Sequence, residues 1–355
     1  MQKKTVKALQ ILEKEIIAGN IGINGLLPPE RELCQQFDIG RGSLQAVFAE
    51  LTARKLIRKI PGKGMRILTK DEKVKNRKFM TIIPEGSVKG AEIFEMLRGI
   101  VTAADRESAE VILFFYNPET SGRKLLNRLD EGSIDGVIMV ERCYEDVIER
   151  LRVLEIPFVV ANYERQMGNM PVVQVDFRQV GRMAGRFLVQ KGHRHIGFIS
   201  NRADSFLYRE LFAGLKGALA EDDLVPESSL CIEAGQDVNA PSVRQKLISV
   251  LKSHAGNLPH IAFFAGRDRY AGLIYSCCRE LGLAVPEDVS VIGYDNVTWT
   301  DGERERLTTI CQPVFKGGQA AFGAVCQAAA EGREVNTVTL AGELVLRESV
   351  KNLVS

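Results

Sequence analysis

The chain has 355 residues, of which 45% are hydrophobic and 26% charged, as expected for a globular protein of two or more domains. Its seven cysteines are scattered and form no CxxC pair, which excludes a disulfide framework and favours the reduced thiols of the cytoplasm. The opening MQKKTVKALQ lacks the apolar run of a signal peptide. No apolar run approaches the ~18–20 residues of a membrane span, so we expect a cytoplasmic protein with no membrane partner.

The net charge of +2 conceals an uneven distribution along the chain. Residues 1–78 hold 17 Lys/Arg and 8 Asp/Glu, a net charge of +9, whereas the remaining residues hold 30 and 37, a net charge of −7. A basic block on a mildly acidic body indicates a polyanionic partner for that block alone. A solvated, lysine-rich tail is the alternative, although the basic residues lie within periodic sequence.

Three helices and a hairpin are predicted in the first 68 residues. Val6, Leu9, Leu12 and Ile16 share the face of a first helix, and glycines in AGNIGING end it. LPPERELCQQFDIGRGSLQAVFAEL then holds two short amphipathic patterns separated by DIGRG, which predict helix, tight turn, helix. LIRKI and MRIL flank the turn residues PGKG and predict a hairpin. This order is typical of a winged helix-turn-helix.

The stretches LPPERELC, IGRGSLQAVFAEL and GKG, in that order, resemble the GntR family of bacterial regulators over about residues 5–68. The resemblance implies binding to double-stranded operator DNA through residues at the matching positions. These are Arg31, Arg41, Ser43 and Gln45, with Lys63 and Gly64 at the wing tip. Cationic side chains neutralise phosphates, and side chains at the start of the recognition helix can reach base edges.

This chain departs from that family pattern at two positions. Gly40 stands where the family usually has a capping Ser, and Gln45 replaces a frequent Arg, so we expect an altered site preference. For Arg31 and Arg41, surface salt bridges with Glu30, Glu32 or Asp38 are the alternative to a role in DNA binding.

Beyond a charged linker at residues 69–78, apolar runs alternate with helical patterns. The predicted strands are FMTII, EVILFFY, DGVIMV, IPFVVA, VVQV, HIGFIS, HIAFFA and VSVIGY. Predicted helices between them include 91–107, 177–190, 208–221 and 268–281. Such alternation predicts an α/β fold with parallel sheets. Some 275 residues favour two lobes, with a ligand cleft at the carboxyl ends of the strands.

The stretches IDGVIM, GRMAGRFLVQKGHRHIGFIS, LGLAVPEDVSVIGYDN, LTTICQP and ELVLRES resemble the LacI/GalR effector domain over about residues 79–350. The resemblance implies a two-lobed periplasmic binding protein type I fold, a small sugar-like effector in the cleft and a homodimer. The predicted domains are a winged helix-turn-helix at 1–68, a linker at 69–78 and a ligand-binding and dimerisation domain at 79–355. The whole arrangement is similar to that of arabinose-repressor-like regulators, although no LacI-type hinge helix is visible in the linker.

Ligand-binding residues are expected at the ends of strands. Asp268 and Asp295 each follow a strand, and the resemblance adds four further positions, namely Lys89, Asn162, Tyr163 and Arg267. At Arg267 the family usually has Asn, and at Leu211 it usually has Arg, so one pocket cation is lost and another gained. Arg267 could therefore capture an acidic group of the effector. Alternatively, it pairs internally with Asp268 or Asp295 and the effector is neutral, or Asp295 merely caps a turn.

The sequence therefore predicts a ligand-responsive repressor that binds a near-palindromic operator as a dimer. A sugar-binding protein without a regulatory role is the alternative, and the basic N-terminal block argues against it. We find no nucleophile elbow, phosphate loop or dinucleotide motif, so we expect no enzyme activity and no cofactor. His193 and His195 are interpreted as structural residues, and no metal site is expected.

Overall fold

The computed structural model describes ten segments of the chain. They are residues 3–22, 25–54, 56–60, 64–68, 77–86, 91–162, 168–235, 237–254, 260–297 and 306–354. The predicted linker, apart from its last two residues, lies outside them. Within the described residues no helix is long and apolar enough to cross a membrane.

The N-terminal part folds as three helices and a two-stranded sheet. The helices are α1 (Lys3–Ala18), α2 (Glu30–Phe37) and α3 (Arg41–Ala53), and the strands are β1 (Ile57–Ile60) and β2 (Gly64–Ile67). The strands pair antiparallel. The apolar faces that the sequence predicted meet in one core, where Leu12, Leu33 and Leu44 are fully buried. The winged helix-turn-helix is confirmed.

The body contains two six-stranded sheets, and each forms the centre of one lobe. The strands of the first lobe are β3 (Lys78–Pro84), β4 (Glu110–Tyr116), β5 (Gly136–Val140), β6 (Phe158–Ala161), β7 (Val172–Val175) and β13 (Val338–Leu340). Those of the second lobe are β8 (His195–Ser200), β9 (Ile232–Glu233), β10 (Ile261–Ala265), β11 (Val289–Asp295), β12 (Thr308–Cys311) and β14 (Glu343–Val345). The first lobe has the strand order β13-β7-β6-β5-β3-β4 and the second has β14-β12-β11-β10-β8-β9. Every described pairing in these sheets is parallel except that of β14 with β12.

Helices cover both faces of each sheet, as the buried apolar strands require. In the first lobe they are α4 (Ala91–Arg106), α5 (Pro118–Asp130), α6 (Glu145–Val153) and α11 (Val314–Glu331). In the second lobe they are α7 (Phe177–Gln190), α8 (Phe206–Ala220), α9 (Pro241–His254) and α10 (Asp268–Leu281). Each lobe has two apolar cores, one on either side of its sheet. The predicted α/β fold with parallel sheets is confirmed.

Three chain segments cross between the lobes. They follow β7, β12 and β13, so residues 176, 312–313 and 341–342 form the connections. The first crossing is anchored by Asp176, whose amide donates to Leu340 O at 3.0 Å and whose carboxylate caps α7 by accepting from Gln179 N at 2.9 Å. The first crossing thus contacts the end of β13, where the third crossing begins.

In each lobe, two helices meet at paired glycines. In the first lobe, a Cβ on Gly99 of α4 would lie 2.1 Å from Phe315 O, and one on Gly318 of α11 would lie 2.1 Å from Met96 O. In the second lobe, a Cβ on Gly181 of α7 would lie 1.9 Å from Leu211 O, and one on Gly214 of α8 would lie 1.9 Å from Arg178 O. No side chain fits at these four positions, so the helices pack backbone against backbone.

Candidate functional site

The first candidate site is the exposed start of α3. Arg41 and Gln45 lie one helical turn apart and both are exposed, while Ser43 between them is half-buried. Arg31 is exposed in the first turn of α2. Gly40 caps α3 without a side-chain hydrogen bond, as its lack of a side chain predicts. Polar side chains therefore project where a helix of this kind would enter a major groove.

Glu30 connects the two exposed side chains of α3. Its Oε2 accepts from Arg41 Nε at 3.1 Å and its Oε1 accepts from Gln45 Nε2 at 3.0 Å. The salt bridge that the sequence offered as an alternative for Arg41 therefore exists. The Arg41 side chain nevertheless stays 83% exposed, so its pairing with Glu30 leaves it accessible to a partner.

At the wing, Gly64 opens β2 with φ of +95°, a backbone conformation that favours glycine. Gly64 is exposed and stands opposite Ile60 in the hairpin. Lys63, the other predicted wing residue, lies outside the described residues.

The second candidate site is the carboxylate of Asp295 at the end of β11. Arg267, which directly precedes α10, donates from one Nη to both carboxylate oxygens at 3.1 and 3.0 Å. Gln312, in the crossing after β12, donates to Oδ1 at 2.5 Å. The pair is largely buried, since the side chains of Arg267 and Asp295 are 18% and 7% exposed. Of the partners that the sequence left open for Arg267, Asp295 is one that the structure shows.

Asp268, the next residue after Arg267, is fully buried. Its carboxylate accepts from Thr309 Oγ1 at 2.7 Å and from Val297 N at 3.0 Å. Burial raises the pKa of Asp268 to about 6, and these hydrogen bonds oppose the shift. Asp268 therefore connects α10, β12 and the segment after β11, rather than facing a ligand.

Asn162, the described candidate on the first lobe, follows β6 with φ of +56° and is half-buried. Lys89 and Tyr163 lie outside the described residues. Leu211, where the resemblance led us to note a missing Arg, is fully buried in the core beside α7. Arg209 points elsewhere and donates to Asp204 O at 3.1 Å.

No group of three or more His, Cys, Asp or Glu that could hold a metal ion occurs in the described part of the chain. His193 is fully buried, stacks on His260 and hydrogen-bonds to Lys351 O through Nε2 at 3.1 Å. Burial lowers the pKa of His193 to about 4, which keeps the imidazole neutral.

Two family models match this chain. Residues 4–67 match the bacterial regulatory proteins of the gntR family, and residues 173–350 match the periplasmic binding protein-like domain. The chain belongs to the periplasmic binding protein-like family. The gntR-type segment at residues 4–67 is the DNA-binding domain of this chain.

Curated relatives of this periplasmic binding protein-like chain are transcription regulators. The HTH-type transcriptional repressor PurR of Pectobacterium atrosepticum is 31% identical over 234 residues, which cover 64% of this chain and 67% of that protein. Catabolite control protein A of Priestia megaterium is 28% identical over 233 residues, which cover 64% and 68%. The chain is thus a ligand-responsive transcription regulator that combines a gntR-type DNA-binding domain with a LacI-type ligand-binding domain.

Solved structures show the same fold. A LacI family regulator from Enterococcus faecium with bound ribose has a TM-score of 0.60 and 22% identity, and the match covers 78% of this chain and all of that one. The CelR–cellobiose complex has a TM-score of 0.60 and 19% identity, and the match covers 91% of this chain and 99% of that one.

Sequence reasoning did not identify Glu30 and Gln312 as members of these two sites. Glu30 appeared only as a candidate salt-bridge partner, and its contact with Gln45 depends on how α2 and α3 pack. Gln312 lies between a strand and Pro313, a position that could have indicated a crossing near the ends of the strands.

Proposed function

We propose that this regulator represses transcription by binding a near-palindromic operator as a homodimer, and that a neutral, sugar-like effector between its lobes changes its operator affinity. The observation that carries the proposal is the presence, in one chain, of the gntR-type domain and a periplasmic binding protein-like domain with a buried charge pair at a strand end. The relatives named above are transcription regulators, which supports a regulatory role over an enzymatic one. A protein that binds operator DNA acts in the bacterial cytoplasm.

The Arg267–Asp295 pair favours a neutral effector over an acidic one. The two side chains cancel each other's charge, yet a carboxylate and a guanidinium can still accept from and donate to sugar hydroxyls. An acidic effector would have to draw Arg267 away and leave a second anion beside a buried carboxylate, which is costly. The ribose and cellobiose named for the two similar structures are neutral sugars.

An apolar surface on the first lobe supports the homodimer. Phe94 and Val101 on α4, with Leu113 and Phe115 on the edge strand β4, are between 40% and 57% exposed. An exposed apolar edge strand invites uncontrolled pairing unless another surface covers it. A second copy of the chain is the partner we propose, because a palindromic operator requires two readers related by a two-fold axis.

Calorimetry with matched neutral sugars, uronic acids and sugar phosphates tests the effector class. We expect a neutral sugar to bind, and Asp295→Asn to weaken it by roughly 10- to 100-fold, because hydrogen bonds to charged groups contribute about 1.5–3 kcal/mol. We expect Arg267→Asn to leave the preference for neutral compounds unchanged. Tightest binding by an acidic compound, with that preference lost in Arg267→Asn, would contradict the neutral effector.

A further inference from the structure

Three side chains from two helices form one hydrogen-bonded group on the DNA-facing surface. Glu30 opens α2, whereas Arg41 and Gln45 lie in the first two turns of α3. The Glu30 carboxylate uses one oxygen for Arg41 Nε and the other for Gln45 Nε2. Glu30 is about one-third exposed, so an acidic group stands among residues that are proposed to meet a polyanion.

The chemistry of the carboxylate fixes the orientation of the Gln45 amide. An ionised carboxylate only accepts hydrogen bonds, so Gln45 must turn its NH2 group toward Glu30. Its carbonyl oxygen then becomes the atom presented outward as an acceptor. Arg41 is constrained in the same way, because its Nε is taken by Glu30 and its two terminal nitrogens remain for DNA.

Bases differ in what they offer such an acceptor in the major groove. Adenine and cytosine carry exocyclic amines, N6 and N4, which donate hydrogen bonds there. Guanine and thymine present the acceptors O6 and O4 at the corresponding edges. An outward-facing carbonyl therefore favours adenine or cytosine and is repelled by guanine or thymine.

We propose that Glu30 is a positioning residue that sets base preference, by holding Gln45 so that it recognises a base with an exocyclic amine. The proposal rests on the DNA-reading role of α3. Without the carboxylate, the Gln45 amide can turn over and meet either class of base. Glu30 also places a negative charge near the phosphates, which weakens binding to every DNA sequence alike.

Glu30 thus strengthens the base preference of Gln45 but weakens affinity for DNA of any sequence. We therefore expect Glu30→Gln to lose preference while it gains affinity. The variant should bind random DNA more tightly, because one negative charge is gone. At the base pair that Gln45 contacts, exchanging the two bases moves adenine N6 or cytosine N4 away from Gln45. The affinity lost by this exchange should be about 2- to 12-fold smaller in the variant than in the wild type, the value of one hydrogen bond of about 0.5–1.5 kcal/mol. A purely structural role for Glu30 would lower affinity without this change in preference.

The experiment first selects preferred sites from a randomised DNA pool with the full-length chain. Fluorescence anisotropy then measures affinities for single base-pair variants of that site. Gln45→Ala identifies the base pair concerned, because preference is lost there. Glu32→Gln is the matched control, since Glu32 is also acidic and exposed in the first turn of α2, and we expect it to keep the wild-type preference.

Three results would overturn the proposal. Glu30→Gln with the wild-type base profile would show that the carboxylate does not orient Gln45, and an unchanged wild-type affinity for a site in which the adenine N6 or cytosine N4 amine of that base pair is deleted would show that the orientation is wrong. A further change of profile when Glu30→Gln is added to Gln45→Ala would show that Glu30 contacts a base itself. Failure of the wild-type chain to select any site would instead contradict the DNA-reading function.

Discussion

Asp268 is a fully buried carboxylate in the first turn of α10. It lies just beyond the end of β10, as a ligand-binding carboxylate would, but its oxygens accept from Thr309 and Val297 inside the second lobe. These bonds hold the segment after Asp295 against α10. Asp268 therefore positions the candidate site and does not form its surface.

The raised pKa of Asp268 makes its contribution to stability depend on pH. The group titrates near pH 6 in the folded chain but near its ordinary value of 3.8 when unfolded. The folded state consequently holds the proton more tightly, and the unfolding free energy from this group falls as pH rises from about 4 to about 6. Above that range the loss is complete.

We predict that Asp268→Asn removes this dependence. An amide keeps an acceptor for Val297 N and can donate to Thr309 Oγ1. The stability of the variant relative to wild type should rise between about pH 4 and 6 and then level off. Urea unfolding of both proteins at matched pH values measures this difference, and parallel profiles across the range would contradict the prediction.

At the scale of the elements, packing at glycines defines each lobe. The pairs Gly99 and Gly318 in the first lobe, and Gly181 and Gly214 in the second, let two helices touch backbone to backbone. Ala is the better helix former by about 1 kcal/mol at an unconstrained position. At these four positions a carbonyl of the neighbouring helix leaves no room for the Cβ of Ala. Helix packing, and not helix propensity, therefore requires glycine here.

We predict that Gly181→Ala lowers the unfolding free energy by roughly 1–3 kcal/mol, the usual cost of overpacking a core. Gly323→Ala in α11 is the matched control, because a Cβ at Gly323 meets nothing within 4 Å. That control should be neutral or stabilising. Thermal unfolding compares the two, and equal melting temperatures would show that α7 and α8 separate without cost.

Local periodicity explains which elements the sequence predicted well. The strand EVILFFY and the helices at 177–190 and 268–281 lie where they were expected, because their patterns continue over seven or more residues. The sequence analysis missed β9, β12, β13 and β14. Each has only two to four residues, and pairing with a neighbouring strand rather than local pattern defines it.

The candidate site was predictable only in part for a related reason. Position near a strand end marked both Asp268 and Asp295 as candidates, and either carboxylate was open as a partner for Arg267. Which of the two carboxylates pairs with Arg267 depends on the direction in which each side chain points beyond its strand. The spacing of residues in the sequence does not determine that direction. Packing of α10 against β11 and β12 turns Asp268 inward, and Arg267 pairs with Asp295.

At the scale of the whole molecule, the apolar surface on α4 and β4 is the proposed contact between two copies. We predict that Leu113→Glu yields monomers in sedimentation velocity, because a charge within a paired apolar surface is unpaired and desolvated. Val225→Glu, an apolar residue that is 75% exposed in the second lobe, should remain dimeric. Dimers of Leu113→Glu would place the contact elsewhere, and monomers of the wild type at micromolar concentrations would contradict the proposed homodimer.

The crossings between the lobes are the route by which, under the proposed function, effector binding would reach the DNA-binding domain. Asp295 contacts both Arg267 at the start of α10 and Gln312 in the crossing after β12. An effector that hydrogen-bonds to Asp295 must alter this arrangement at a crossing. Such an effector changes operator affinity only if it binds the two arrangements of the lobes with different affinity.

The central claim is that occupation of this site changes operator binding. Its most direct test is the operator dissociation constant of the full-length chain, measured by anisotropy at fixed salt with and without a saturating neutral sugar that binds in calorimetry. We predict a change of roughly 5- to 150-fold, the usual range of allosteric coupling. Asp295→Asn, which keeps the DNA-binding domain intact, should show a smaller change at that sugar concentration, because it binds the sugar more weakly. An unchanged dissociation constant for the saturated wild-type chain would contradict the account.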